Sequence, residues 1–291
     1  MIKVTALVLP VTTVVLAIIG IWYLFAFSLN SQWAEDQAAR AGVELTATEL
    51  WAATMSQDRP RLATPHQVAA ELWDTTINKK VTSKRSLIFH GWVTLSATLL
   101  GFVIGTMLGI LLAIGIVHNR AMNLSVMPWA IASQAIPILA LAPMIIVVLH
   151  SVGLSGLLPK ACISAYLSFF PVVVGMVSGF RSPNQMSLDL LDTYAASRPQ
   201  IFWKLRLPAS MPYLFTSLKV GAAASLVGAI VGELPTGAVA GLGARLLVGS
   251  YYGQTIQIWS ALFAAAALAA LLVGLIGLAQ KVTLRQMGMA R

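Results

Sequence analysis

The chain has 291 residues, of which 58% are hydrophobic and only 10% charged, with a formal net charge of +9. That balance lies well outside the range of soluble domains and marks an integral membrane protein. The positive charge is no nucleic-acid footprint: residues 30–86 hold seven basic and seven acidic residues, so the excess lies along the spans and their short connections, where orientation and anionic lipid already favour basic side chains.

Five segments free of Asp, Glu, Lys and Arg, at 4–29, 91–117, 124–149, 161–180 and 258–279, are each long enough to cross a hydrocarbon core of about 30 Å. A sixth, at 213–234, is apolar except for Lys219 and Glu233. Lipid offers no partner for backbone N–H and C=O groups, so these runs must be helices, and the expected fold is all-α with six transmembrane helices. The first run is too long for a signal peptide and no small-residue cleavage site follows it before Trp33, so it is taken as a retained span. With an even number of spans both termini share a side. That side collects Lys3, Arg120, Arg181, Arg198, Lys204, Arg206, Lys281, Arg285 and Arg291, against Lys160 and Arg245 in the short loops opposite. Both termini are therefore expected in the cytoplasm, with the chain in the cell inner (plasma) membrane, although Lys79, Lys80, Lys84 and Arg85 in the long loop pull the other way.

In the long loop, Thr64-Pro65-His66-Gln67 gives an N-cap, a first-turn proline and a capping-box glutamine. The helix that follows is expected to carry Val68, Leu72 and Trp73 on one face, lying on the outer membrane surface or packing against the spans. In the second span Gly101, Gly105, Gly109 and Ala113 form a stripe of small residues that lets another helix approach closely. Gly175 with Gly179, and Gly221 with Ser225, repeat the pattern and predict a tight bundle. Pro128, Pro137 and Pro143 around Ser133 and Gln134 predict a bent third span, with Ser133, Gln134 and Pro137 as candidates for lining a pathway. The single cysteine, Cys162, excludes an intramolecular disulfide and is expected to be a small apolar filler.

Residues 182–211 form a polar loop with repeated helix signals. Ser182-Pro183-Asn184-Gln185 and Ser197-Arg198-Pro199-Gln200 both have the capping-box pattern, so two short helices joined at 195–197 are expected, with Pro208 ending the second and Pro212 opening the fifth span. Ile201, Phe202, Trp203, Lys204 and Arg206 make an aromatic and basic group suited to an apolar groove on a partner, or to the headgroup layer. Glu233 is the only acidic residue in a predicted span, where an unpaired carboxylate costs on the order of several kcal/mol; it is expected to face the outer part of a polar pathway or to act as a structural cap. Lys219 is expected to snorkel to the inner surface. Gly241-Leu242-Gly243 is no dinucleotide fingerprint, because no strand precedes it and the third glycine is absent.

This polar loop resembles the cytoplasmic loop of permease subunits of ATP-binding cassette importers, whose signature runs Glu-Ala-Ala, then Gly, then an aliphatic residue and Leu-Pro. Counting back from Leu207 and Pro208, the glycine position falls on Ala195 and the Glu-Ala-Ala positions on Asp189, Leu190 and Leu191, so the match departs at four places. Gly-Ala-Ile-Val-Gly-Glu at 228–233, Ala-Ser-Arg at 196–198, Leu-Pro-Ala-Ser-Met-Pro at 207–212 and Pro-Ile-Leu-Ala-Leu-Ala-Pro at 137–143 are similar to the branch that handles nitrate, sulfonates, taurine or pyrimidine-type thiamine precursors. The resemblance covers residues 64–281 and implies a type I importer bundle with a permease core at 64–291, a coupling loop at 182–211 and an N-terminal span with an extracytoplasmic insertion at 1–63.

What the resemblance further implies is an assembly with ATPase subunits, a second permease that is either a copy of this chain or a different one, and an extracytoplasmic solute-binding protein. Asp189, Ala195, Ser197, Arg198, Gln200, Ile201, Phe202 and Pro208 are then the residues expected to couple the chain to the ATPase, and Glu233, Gln134, Ser133 and Pro137 those expected along the pathway. No lysine is followed by Ser or Thr, so no Walker A motif is present; the chain is expected to hold no cofactor of its own, with ATP bound by the partner. Neither His-Glu-x-x-His nor Gly-x-Ser-x-Gly occurs, so no catalytic residue and no metal site are expected and an enzyme is disfavoured. A secondary transporter would need coupling carboxylates at mid-membrane or an internal repeat, and an exporter permease is the other alternative.

Overall fold

A computed structural model describes residues 2–235 and 238–289, with side chains from Leu9 onward. The side chain of Lys3 and the whole of Arg291, both counted in the charge argument, lie outside the described residues. Every regular element among the described residues is helical. In chain order, besides π-helical turns at Asp74–Asn78 and Phe202–Arg206, these are α1 (Ile2–Ala41), α2 (Ala47–Met55), α3 (Pro65–Trp73), α4 (Leu87–His118), α5 (Arg120–Ser133), α6 (Ile138–Ser151), α7 (Leu157–Phe180), α8 (Gln185–Thr193), α9 (Arg198–Ile201), α10 (Leu207–Glu233), α11 (Leu242–Tyr251) and α12 (Thr255–Gln286). Five helical stretches, Leu9–Ala41, Leu87–His118, Leu157–Phe180, Arg198–Glu233 and Thr255–Gln286, are long and apolar enough to cross a membrane, and α5 with α6 makes a sixth if the pair is one span.

Two expected spans differ in detail. The third is broken rather than bent: α5 and α6 meet at 103°. Pro137 has no N–H to continue a helix, and the amides of Ala135 and Ile136 turn back to the carbonyls of Ala132 and Ser133 at 3.0 and 3.4 Å. Each half has 14 residues, about 21 Å, which is short of the hydrocarbon thickness. The fifth span begins earlier than its proline signals suggest. Pro208 does not stop a helix; α9 runs through a π-helical turn at Phe202–Arg206 straight into α10. In that widened turn the Leu207 amide donates to the Phe202 carbonyl, and the wider ring makes room for Pro208, which has no amide to place.

The chain divides into two compact units, Met1–Phe89 with Arg245–Ala264, and His90–Ala244 with Ala265–Arg291. In the first, α2 and α3 pack on α1. Asn30 is fully buried: its amide donates to the Leu62 carbonyl at 2.8 Å, its side-chain oxygen accepts from the Leu62 amide at 3.1 Å, and Gln57 donates to its backbone carbonyl at 2.9 Å. Phe27 stacks on Trp51 at 5.0 Å and Trp22 meets Trp259 at 4.9 Å while donating to the Ala63 carbonyl at 2.8 Å. The Thr64–Gln67 capping box is present, but the single-face expectation holds only in part: Val68 is buried and Trp73 is exposed. Five residues at about 100° each put Trp73 some 140° from Val68, beyond one buried stripe. Arg245, expected in an outer loop, is buried, donating to the Arg85 carbonyl at 3.0 Å and pairing with Glu71 at 3.4 Å; desolvation lowers its pKa from the ordinary arginine value. Replacing Asn30 with Ala should destabilise this unit by about 1–3 kcal/mol, since it strands both backbone groups of Leu62. A thermal melt in detergent checks this, and an unchanged melting temperature would show that Asn30 does not pin the insertion.

The second unit is built on close helix approach. The α4 stripe faces α7: a Cβ on Gly101 would lie 2.5 Å from the Ala161 carbonyl oxygen and 2.4 Å from Ser164, and Gly105 and Gly109 meet Ser168 and Val172 in the same way. Further along the same helix, Gly175 and Gly179 meet Ser217 and Ser210 of α10, and Gly228 of α10 closes on Ser164 as Gly101 of α4 does. Serine hydroxyls join the three helices. Ser164 donates to the Ser225 carbonyl at 2.7 Å and Ser225 to the Thr98 carbonyl at 2.8 Å. Beside this seam Ala113, Ile116, Val172, Met176, Phe180 and Phe202 form an apolar cluster. Two lesser expectations change. Cys162 is exposed on α7 rather than filling a core, and Lys219 donates to Gln280 of α12 at 2.5 Å instead of reaching alone for the surface.

Candidate functional site

The polar loop folds into an elbow with a specific geometry. The first helix, α8, starts two residues later than the Ser182 signal suggests, because Asn184 takes the N-cap and accepts from the Ser187 amide at 2.9 Å. Ser182 is spent elsewhere, donating to the Gly179 carbonyl. Past Thr193 the chain closes a Schellman motif, in which the Ala196 amide donates to the Leu191 carbonyl at 3.0 Å and the Ala195 amide to the Asp192 carbonyl at 2.9 Å. That motif needs a left-handed residue, and Ala195 supplies it with φ +48°, the only non-glycine residue with positive φ among the described residues. The chain then reverses into the Ser197 capping box, where the Ser197 amide donates to the Gln200 side chain at 2.7 Å.

The expected coupling residues divide by exposure. Asp189, Ala195, Ser197, Arg198 and Gln200 are exposed on the elbow, and Ile201 and Pro208 are half-buried. Phe202, expected to be offered to a partner, is instead buried at 8% exposure, with its ring 5.2 Å from both Phe180 and His118. A side chain committed to the molecule's own core cannot also fill an external groove, so Phe202 anchors the elbow, and Trp203 beside it carries the exposed aromatic surface. Arg206, not singled out from its position alone, donates to the Phe180 carbonyl at 3.0 Å and braces the elbow on the end of α7. A left-handed alanine costs about 1–2 kcal/mol relative to glycine in the same conformation. Ala195→Gly should therefore stabilise the elbow by about 0.5–1 kcal/mol after the larger chain entropy of glycine is offset. Slower proteolysis at 193–197 is the expected readout; faster cleavage would contradict the strain assigned to Ala195.

The expected pathway residues fall in two places. Ser133, Gln134 and Pro137 gather at the break between α5 and α6, with Pro137 as the N-cap of α6, Gln134 exposed, and the Ser133 carbonyl accepting from the Tyr166 hydroxyl. Glu233 is not with them. It ends α10, fully buried, and accepts from Thr94 at 2.9 and 3.1 Å and from the Gly243 amide at 2.7 Å. Its carboxylate is thus buried beside the start of α11. The same Thr94 hydroxyl accepts from the Leu242 amide at 2.8 Å, and His90 Nδ1 accepts from the Gly241 amide at 2.9 Å. The Gly-Leu-Gly triplet is therefore the first turn of α11, with its amides spent on side chains of α4 and α10. Thr94 and His90 carried a weak signal: two polar groups four residues apart, on one face of an apolar helix.

Residues 105–286 match the family of binding-protein-dependent transport system inner membrane components. Over 168 residues the chain is 33% identical to the formylaminopyrimidine transport permease protein ThiX of Halalkalibacterium halodurans, covering 57% of this chain and 65% of that protein, slightly less than two thirds of its length. It is 31% identical over 224 residues to the riboflavin transport system permease protein RibX of Chloroflexus aurantiacus, covering 77% and 80% of the two chains. With the nitrate import permease protein NrtB of a Synechocystis strain it shares 23% identity over 233 residues, 79% and 80% of the two chains.

Proposed function

We propose, since the chain belongs to the family of binding-protein-dependent transport system inner membrane components, that it is the permease subunit of an ATP-binding cassette importer for a small solute. The observation that carries this reading is the exposed elbow from Asp189 to Gln200, a rigid and strained surface feature at the foot of a membrane-spanning helix. ATPase subunits grip this elbow. A second permease completes the pathway, a solute-binding protein delivers from the outer side, and both termini face the cytoplasm. Within the chain, residues 64–291 form the permease core with its loop at 182–211, and residues 1–63 add a first span and an extracytoplasmic insertion. Closure of the ATPase pair moves the elbow as a body and tilts α10 with it, because no helix break separates Arg198 from Glu233. The break at Ser133, Gln134 and Pro137 is assigned to the pathway wall, where backbone freed by proline is tolerated only beside a cavity or packed protein.

The solute belongs with those named for the relatives, formylaminopyrimidines, riboflavin or nitrate, or with the sulfonates of the branch that the sequence resembles. Vesicles carrying the chain with its ATPase and binding protein, offered each of these four in labelled form, should take up one of them only when ATP is supplied. Uphill uptake by the chain alone, with no nucleotide-hydrolysing partner, would overturn the assignment.

A further inference from the structure

One helix joins the two sites. From Arg198 to Glu233 the chain is helical without interruption for 36 residues, about 54 Å, with the elbow at one end and a buried carboxylate at the other. The far end is tied, not free. Three successive amides at the start of α11 are taken by three side chains: Gly241 by His90, Leu242 by Thr94 and Gly243 by Glu233, at 2.9, 2.8 and 2.7 Å. Thr94 closes the knot by donating to Glu233 while accepting from Leu242. Thr94, Glu233 and Leu242 are each fully buried, and His90 nearly so.

The local sequence admits little else. Gly241 has φ +126°, and a Cβ on it would lie 2.2 Å from the Glu233 carboxyl carbon; a Cβ on Gly243 would strike the Ile230 carbonyl at 2.4 Å. Lys160 of α7 is also buried on this end of the bundle, its Cα 3.2 Å from where a Cβ on Gly232 would stand. Hydrogen bonds of 2.7–2.9 Å are lost when donor and acceptor separate by about 1 Å, whereas apolar packing degrades gradually. The seam along which α10 meets α7 is lined by glycine and serine, so the helices approach closely there and Ser164 holds the Ser225 carbonyl, which fixes the middle of α10. Tilting a rod 36 residues long moves its ends more than its middle, so the Glu233 knot is where a displacement of the elbow is felt most abruptly.

We propose that Glu233 is a positioning residue that latches the first turn of α11 to α4, and that movement of the elbow by the ATPase releases this latch at the opposite end of the same helix. The proposal deepens the transport reading above and rests on it. Amide exchange in the assembled transporter tests it without altering the protein. In the absence of nucleotide, the amides of Gly241, Leu242 and Gly243 should be protected. With MgATP and vanadate their exchange should rise roughly tenfold or more, as expected when a local hydrogen-bonded unit opens. Thr94→Val should raise their exchange without nucleotide and raise ATP hydrolysis in the absence of binding protein; Thr94→Ser, which keeps the hydroxyl, should restore both. A knot with a purely structural role would leave exchange at these amides insensitive to nucleotide. That result, in a transporter that still takes up solute with ATP, would reject the latch and leave the coupling reading standing. If no ATPase associates with the wild-type chain, the coupling reading itself fails.

Discussion

Replacing Ala195 with Pro should abolish association of the ATPase with this chain while leaving its insertion in the membrane intact. Proline holds φ near −65°, and Ala195 stands at +48°. The substitution also deletes the amide that donates to Asp192, and it places proline after Tyr194, whose ψ of 10° is disfavoured in a residue preceding proline. The Schellman motif cannot close, α8 ends differently, and the Ser197 capping box loses its entry direction. The cost exceeds about 2 kcal/mol, and it falls on an exposed loop rather than on the bundle. A second variant separates shape from contact. Arg198→Glu keeps the backbone and adds an acidic residue in the first turn of α9, where negative charge suits the helix, so it should fold normally and still lose the ATPase. Co-purification of membrane-extracted protein is the measurement. If the ATPase follows both variants at the wild-type ratio, the elbow is not the docking element.

How much of this was legible in the sequence depends on the reach of each interaction. Local grammar was readable: the Thr64 and Ser197 capping boxes lie within three residues of their partners and form as written. The glycine stripe of α4 was readable as close approach, because four-residue spacing fixes one face whatever stands opposite. Competing local signals were harder. Ser182 and Asn184 both begin plausible helices; Asn184 takes the N-cap, its side chain accepting from the Ser187 amide, while the Ser182 hydroxyl turns back to the Gly179 carbonyl. Pro208 looked like a terminator, yet a π-helical turn absorbs it, and that turn is stabilised by Phe202 entering a core formed with Phe180, 22 residues earlier. The role of Glu233 was the least legible: its partner Thr94 is 139 residues away, so no window on the sequence could pair them. A buried carboxylate in a span needs a partner, and only the fold names it.

Replacing Gly101 with Val should have the larger effect on the bundle itself. The first atom of any side chain there would stand 2.4 Å from the Ser164 Cβ and 2.5 Å from the Ala161 carbonyl oxygen. A side chain could swing aside, but the Ala161 carbonyl is backbone and belongs to a helical ladder, so relief requires moving α4 and α7 apart. Overpacking of this kind costs about 1–3 kcal/mol by itself. Separation would also stretch the chain of hydroxyls from Ser164 through Ser225 to the Thr98 carbonyl, stranding buried polar groups at about 1–3 kcal/mol each. Gly115→Ala provides the contrast. It too lies on α4 and its Cβ would meet a neighbour at 2.6 Å, but that neighbour is the terminal methyl of Met122, which has three rotatable bonds with which to withdraw. Gly101→Val should therefore yield little monodisperse protein in detergent, and Gly115→Ala close to the wild-type amount with a similar melting temperature. Equal yields from the two would mean that α4 and α7 can separate freely. The junction in which α4 and α10 both close on α7, joined by the Ser225 hydroxyl at the Thr98 carbonyl, would then lose its physical basis.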